Sequence, residues 1–363
     1  MSITDVTFGL DSFGDIPVGP DGQRLSHAAA IRQVLAEAIA ADERDVDVVA
    51  LGEHHRDDFA ISSPETVLAG IATRTERITL ASGVTVLSSD DPVRVFERFA
   101  TLDALSNGRA QVILGRGSFT ESFPLFGFDL ADYNDLFEEK VELFAELLKE
   151  EPVTWEGRTR AALHQADVFP KTESGRLQTW IGVGGSPESV VRAAHYGFPL
   201  MIAIIGGPAE RFIPYVDLYH RATTEFGTGT HEVGIHSPGH IAETDEEALE
   251  TFWPPFKVHR DRIGRERTRP RSARPTKGRS AAPTRAETPA TRQSVAKGRP
   301  RPAPLTPSSP PPPTPCSPGT TPRGAPRLPR RSPSGSSRAR PGRGRCRPRW
   351  RGRRRGSGGG ARG

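Results

Sequence analysis

The chain has 363 residues with 49 Lys+Arg against 44 Asp+Glu, and this near balance hides two opposite parts. Residues 268–363 carry 25 of the basic residues and one acid, Glu287, so residues 1–267 hold 24 bases against 43 acids, a charge near −19 beside one near +24. Both cysteines, Cys316 and Cys346, lie in the second part, which excludes a disulfide or a thiolate nucleophile from the first. No run approaches the ~20 apolar residues of a membrane span. Residues 1–15 lack the basic-then-apolar order of a secretory signal, so a cytoplasmic protein is the expectation.

Short apolar runs alternate with helical patterns along residues 1–267. ITDVTFGL reads as a strand, and LSHAAAIRQVLAEAIAAD as an amphipathic helix. DVDVVALG is a strand, and PETVLAGIATRT a helix with Ser63 as cap and Pro64 in its first turn. RITLASGVTVL is a strand, followed by a helix that Asp91-Pro92 opens and Asn107-Gly108 stops. AQVILG is a strand, and DYNDLFEEKVELFAELLKEE a long helix. QTWIGVGG and SPESVVRAAHYG repeat the pair, as do PLMIAIIGG and a helix from about Pro208 to Phe226. EVGIHSPGHIAE reads as a last strand, and TDEEALETFWPPFKVHRDRIG as a helix interrupted by Pro254 and Pro255.

Strands alternating with helices imply βαβ units and a parallel sheet covered on both faces. Seven strands fall one short of a closed (β/α)8 barrel, and an open doubly wound sheet is the competing architecture. The pattern stops near Arg267. Residues 268–363 hold SSPPPPTP and RGRRRGSGGGARG and have no Phe, Tyr or Ile, so too little apolar surface exists there to offset ordering entropy. The expectation is a barrel domain over 1–267 and a disordered Pro/Arg/Gly/Ser-rich tail over 268–363. Out-of-frame translation of a GC-rich gene explains that composition better than a nucleic-acid-binding arm, because a single aromatic, Trp350, stands among the 25 basic residues.

The segment VVALGEHHRDDFA places Glu53, His54 and His55 directly after an apolar strand. Adjacent histidines diverge on a strand and on a helix alike, which argues against a shared metal ion. His236 and His240 are separated by Pro238 and Gly239 and form no better pair, so no metal is expected. A histidine at the C-terminal end of a parallel strand is placed for proton chemistry by barrel logic. Phe119, Phe123, Phe126 and Phe128 follow the fourth strand and suit either a cavity wall or a core under a loop.

GEHH, then SGVTVLSSDDPVR, LSNGR and ILGRGS, in this order over about residues 3–265, resemble the bacterial luciferase-like flavin-dependent monooxygenases. The resemblance implies an α/β fold of the luciferase-like (β/α)8 TIM-barrel type, incomplete here because the eighth strand and closing helix are absent after about residue 267. It implies that His54 sits near the flavin and supports oxygen chemistry or a proton transfer, with Glu53 holding the histidine. It further implies a non-proline cis peptide at Gly83–Val84 that makes room for the flavin ring. Arg116 in the GRGS turn (with Gly117 and Ser118) and the Gly184, Gly185, Ser186 turn into a helix are the implied phosphate contacts. The turn also suits an anion on its own account, through free N–H groups and the helix dipole. Reduced FMN, O2, a small-molecule substrate, a separate flavin reductase and a homodimer where the barrel closes are the implied partners. A deazaflavin (F420)-dependent hydride-transfer enzyme on the same fold is the alternative, and a truncated, non-functional barrel is the other.

Overall fold

The computed structural model of the protein describes residues 6–19, 21–205 and 207–268. Seven strands form one sheet: β1 (Gly9–Ser12), β2 (Val48–Leu51), β3 (Thr79–Val86), β4 (Ala110–Gly115), β7 (Gln178–Val183), β8 (Leu200–Ala203) and β9 (Val233–His236). β5 (Val153–Trp155) and β6 (Leu163–Ala166) make a separate antiparallel hairpin. Every pairing in the large sheet is parallel, and the strands lie in chain order without a reversal. A doubly wound sheet reverses at a switch point, so this order is that of a (β/α)8 barrel. Among the described residues no eighth strand joins the sheet. The two edge strands nevertheless meet, because Asp11 of β1 lies 2.7 Å from His236 of β9, so the barrel is nearly closed.

The helices are α1 (His27–Asp42), α2 (Pro64–Ala72), α3 (Pro92–Ser106), α4 (Ser122–Phe126), α5 (Tyr133–Leu147), α6 (Pro187–His195), α7 (Ile213–Phe226) and α8 (Asp245–Thr268). Asp91 starts α3 by accepting from the N–H groups of Val93 and Arg94 at 2.9 and 3.3 Å. Asn107 ends it in the left-handed region at φ 56°. α3 then buries Val95, Phe96 and Phe99 in the main core with Leu80 of β3 and Val112 and Leu114 of β4. β4 is buried along its whole length, as a central parallel strand covered on both faces should be.

Four expectations change. The first strand begins at Gly9, later than ITDVTFGL suggested. It is an edge strand whose Leu10 side chain stays exposed, as do Val6 and Phe8 before it. Ser63 stands at the α2 cap position but makes no side-chain cap bond, so Pro64 alone marks that start. α8 runs straight through Pro254 and Pro255. The carbonyls those prolines cannot reach belong to Glu250 and Thr251, which are exposed and can bond to water. The β5–β6 hairpin went unread because its strands are only three and four residues long. The expected tail lies outside the described residues save Thr268, and with it Cys316 and Cys346. Among the described residues no helix is long and apolar enough to cross a membrane.

Candidate active site

The parallel strands all deliver their C-terminal ends to one rim, and that is where the chemically capable residues gather. β2 ends at Leu51, and extended alternation then sends Glu53 and His55 to one side and His54 to the other. Glu53 Oε1 lies 2.9 Å from His55 Nε2, and its Oε2 accepts from the Val86 N–H at 2.8 Å. Glu53 therefore ties the end of β2 to the end of β3 and holds His55. This corrects the expectation that it holds His54: residues two apart on an extended chain share a side, and neighbours do not.

His54 is enclosed by rings instead. Phe59 stacks on it at 4.1 Å between centroids and 16° between planes, and Phe13 and Phe119 stand at 5.2 and 5.5 Å. Its Nδ1 is buried and has no partner among the described residues. Burial pushes the imidazole down to about 4, against the pull of Asp58 and with a further push from Arg56 and His55. The ring is thus neutral at neutral pH, with one nitrogen free to accept.

Of the four phenylalanines after β4, only Phe119 reaches His54, and the Arg56 guanidinium covers it at 4.4 Å. Phe123 is core and stacks on Tyr133, Phe126 is exposed against His55, and Phe128 lies under the Lys140 ammonium at 4.1 Å. Arg56 is itself bound to Asp58, Glu121 and Glu266, which fastens α8 to the loop after β2.

The Gly83–Val84 peptide is cis. The Val84 side chain lies against Gly115 of β4 and Gly182 of β7. A Cβ on Gly115 would stand 2.5 Å from Val84 Cγ2, and one on Gly182 would stand 2.8 Å from Cγ1. Side chains at 115 and 182 are therefore excluded while Val84 keeps this place.

Arg116 follows β4, donates to Asn134 Oδ1 at 3.1 Å and lies over the Tyr133 ring. Gly117 takes φ 78°, and the Tyr133 hydroxyl donates to its carbonyl. Ser118 is exposed. On the other side Gly184 and Gly185 open the turn into α6, where an added Cβ at 184 would meet nothing within 4 Å. Ser186 caps α6 by accepting from the Ser189 N–H and donates to Glu188 Oε2 at 2.7 Å. The Ser186 hydroxyl, the local main chain and the charge of Arg116 hold the Glu188 carboxyl below its usual range. The charge of Arg116 thus reaches the first turn of α6, and Glu188 is an acid there that the sequence reading did not weigh. His54 and the Gly83–Val84 edge stand at the same rim.

Asp11, Phe13 and Phe59 were also missed. A signal existed for Asp11, since a carboxylate inside a strand pattern is costly unless partnered. His236 was weighed only as a metal ligand. It pairs with Asp11, and His240 stacks on Phe252. Among the described residues no three His, Cys, Asp or Glu side chains converge to hold a metal ion.

A buried imidazole, an arginine and a glycine turn into a helix thus stand at the C-terminal rim of a near-closed parallel barrel. The sequence pattern described as luciferase-like monooxygenase matches residues 13–302, and the chain belongs to that family. It is 30% identical over 207 residues to limonene 1,2-monooxygenase of Rhodococcus erythropolis, covering 54% of this chain and 52% of that protein. The chain spans about half the length of the first curated relatives it matches. Among solved structures, the monooxygenase RslO1 from Streptomyces bottropensis superposes with a TM-score of 0.64 at 26% identity, over 71% of this chain and 79% of that one. The oxygenating constituent of 3,6-diketocamphane monooxygenase from Pseudomonas putida, solved with FMN, gives 0.61 at 19% identity over 72% and 75%. An F420-dependent tetrahydromethanopterin reductase from Methanopyrus kandleri gives 0.54 at 20% over 68% and 69%. The last two show the fold alone.

Proposed function

We propose that this chain is a flavin-dependent monooxygenase that uses reduced FMN and O2 on a small organic substrate, with His54 as its proton-handling residue. The observation that carries the reading is the His54 ring itself. It is neutral at physiological pH, walled by Phe13, Phe59 and Phe119, and keeps an unpartnered Nδ1. An orphaned buried nitrogen is costly in a merely structural ring and useful in one that must take up a proton.

The residues present fit FMN. The open Gly184–Gly185 turn, the α6 N-terminus and Arg116 would hold its phosphate, and the Gly83–Val84 edge would flank its ring. Reduced FMN supplies the electrons that activate O2. The chain's own part is to bind, to exclude water with its phenylalanines and to move a proton at His54 Nδ1. Glu53 keeps the β2 and β3 ends in register beneath the site. A separate reductase supplies the reduced flavin in this reading, and two chains pair as a homodimer.

Reconstitution tests it. The protein is titrated with FMN and, separately, with F420, following cofactor fluorescence. Saturable binding of FMN that Arg116→Met weakens supports the reading. Saturable binding of F420 in its place contradicts it and favours hydride transfer on the same fold.

A further inference from the structure

Five rings form a column across the rim of the sheet. In order they are His236, Phe13, His54, Phe59 and His259, with successive centroids 5.3, 5.2, 4.1 and 5.8 Å apart. They come from β9, the turn after β1, the end of β2, the loop before α2, and α8. The column therefore links the first strand of the sheet to the last. A carboxylate stands at each end. Asp11 Oδ2 is 2.7 Å from His236 Nδ1, and Asp15 Oδ1 is 4.0 Å from His259 Nδ1.

We propose that Asp11 and His236 are positioning residues for His54. The Asp11 carboxylate fixes the His236 ring, that ring fixes the face of Phe13, and Phe13 walls His54 from water. The role rests on the reading of His54 as the proton-handling group.

Three observations carry it. His236 and Phe13 are stacked, at 27° between planes, so turning one ring turns the other. Phe13 meets His54 ring to ring, with centroids 5.2 Å apart. Gly52 makes that contact possible, because a Cβ there would stand 2.8 Å from Phe13 Cδ1 and 3.0 Å from His54 Cε1. Stability alone does not explain the pair. Burial raises Asp11 above the usual carboxylate range even with His236 pulling it down, and an apolar pair at such a seam is often the more stable choice. A carboxylate–imidazole bond does what an apolar pair cannot, which is to set a ring's orientation.

The charged groups around His54 are few. Asp58, Arg56 and His55 act on it through their charge, His55 from the opposite side of the chain, and Glu121 is bound to Arg56. His236 stands behind Phe13, and His259 with Asp15 behind Phe59.

The test reads His54 directly and needs no turnover. Full-length protein carrying ring-labelled histidine is titrated by NMR, and the His54→Gln spectrum assigns the His54 signal. The parent midpoint is about 4. In His236→Ala, water reaches the imidazole and the midpoint rises by about one unit or more toward the usual histidine value. His236→Phe restores a ring against Phe13 and reverses most of that rise. Asp11→Asn keeps the shape of the seam, so it serves where His236→Ala fails to fold, and it moves the midpoint in the same direction by less. A midpoint unmoved in both His236→Ala and Asp11→Asn overturns the proposal, whatever the melting temperature does. A moved midpoint supports the positioning role even where His54→Gln leaves turnover intact, a result that contradicts only the catalytic reading of His54.

Discussion

Acidification should destabilise this protein through His54 in a window that can be stated in advance. The imidazole is held at about 4 in the folded chain against 6.5 for the free side chain. Between those values the unfolded chain binds a proton that the folded chain refuses, so stability falls as pH drops from 6.5 toward 4. A difference of about 2.5 units at ~1.36 kcal/mol each corresponds to about 3 kcal/mol, and partial exposure of the ring reduces this to about 2–3 kcal/mol. Other groups titrate nearby with the opposite sign. Burial raises Asp11, Asp15 and Glu65, which favours the folded state as they protonate. A comparison with His54→Gln cancels those shared contributions. Urea denaturation of both proteins at pH 7, 5.5 and 4 gives the assay. The parent should lose about 2–3 kcal/mol more than the variant over this range. Parallel pH profiles would show that the ring is solvated and would refute the argument from enclosure.

Three further outcomes are expected. Gly115→Ala places a Cβ 2.5 Å from Val84 Cγ2 and should cost about 1–3 kcal/mol, with Val84→Ala in the same chain restoring the loss; thermal melts of the single and double variants decide it. Arg56→Met strands Asp58, Glu121 and Glu266 and should cost about 2–3 kcal/mol, less than a fully buried pair because both glutamates are half-exposed. Faster amide exchange in α8 than in α3 would be its signature. Lys140 is buried against the Ser88 carbonyl and is held at about 8, so the parent should gain about 3 kcal/mol on Lys140→Met as pH rises from 8 to 10.5. Equal pH profiles in denaturant titrations would contradict this.

The helices and the parallel order were legible because their signals are local. Asp91-Pro92 and Asn107-Gly108 bracket α3 as caps do, and the continuous apolar run of β4 is buried on both faces. The position of His54 at a strand end was legible from the apolar run before it, and the Gly184–Ser186 turn into α6 from its glycines and Pro187. The partner of Glu53 was open to the alternation rule, which places it with His55, but the resemblance was followed instead. The Asp11–His236 bond was not legible, since it joins residues 225 positions apart across a seam that only the closed winding of the sheet brings together. The course of α8 through two prolines was equally hidden, because a proline pair stops a helix unless the orphaned carbonyls are free to meet water.

The most direct test of the account is the reoxidation of reduced FMN in the presence of the protein. Photoreduced FMN is premixed with excess protein and then with O2 in a stopped-flow instrument, and the flavin absorbance is followed for the parent and for His54→Gln. The account expects the parent to change the time course from that of free reduced FMN. It expects His54→Gln to alter the rate by ~10²-fold or more while FMN affinity is unchanged. Time courses equal to that of free flavin for both proteins would contradict it.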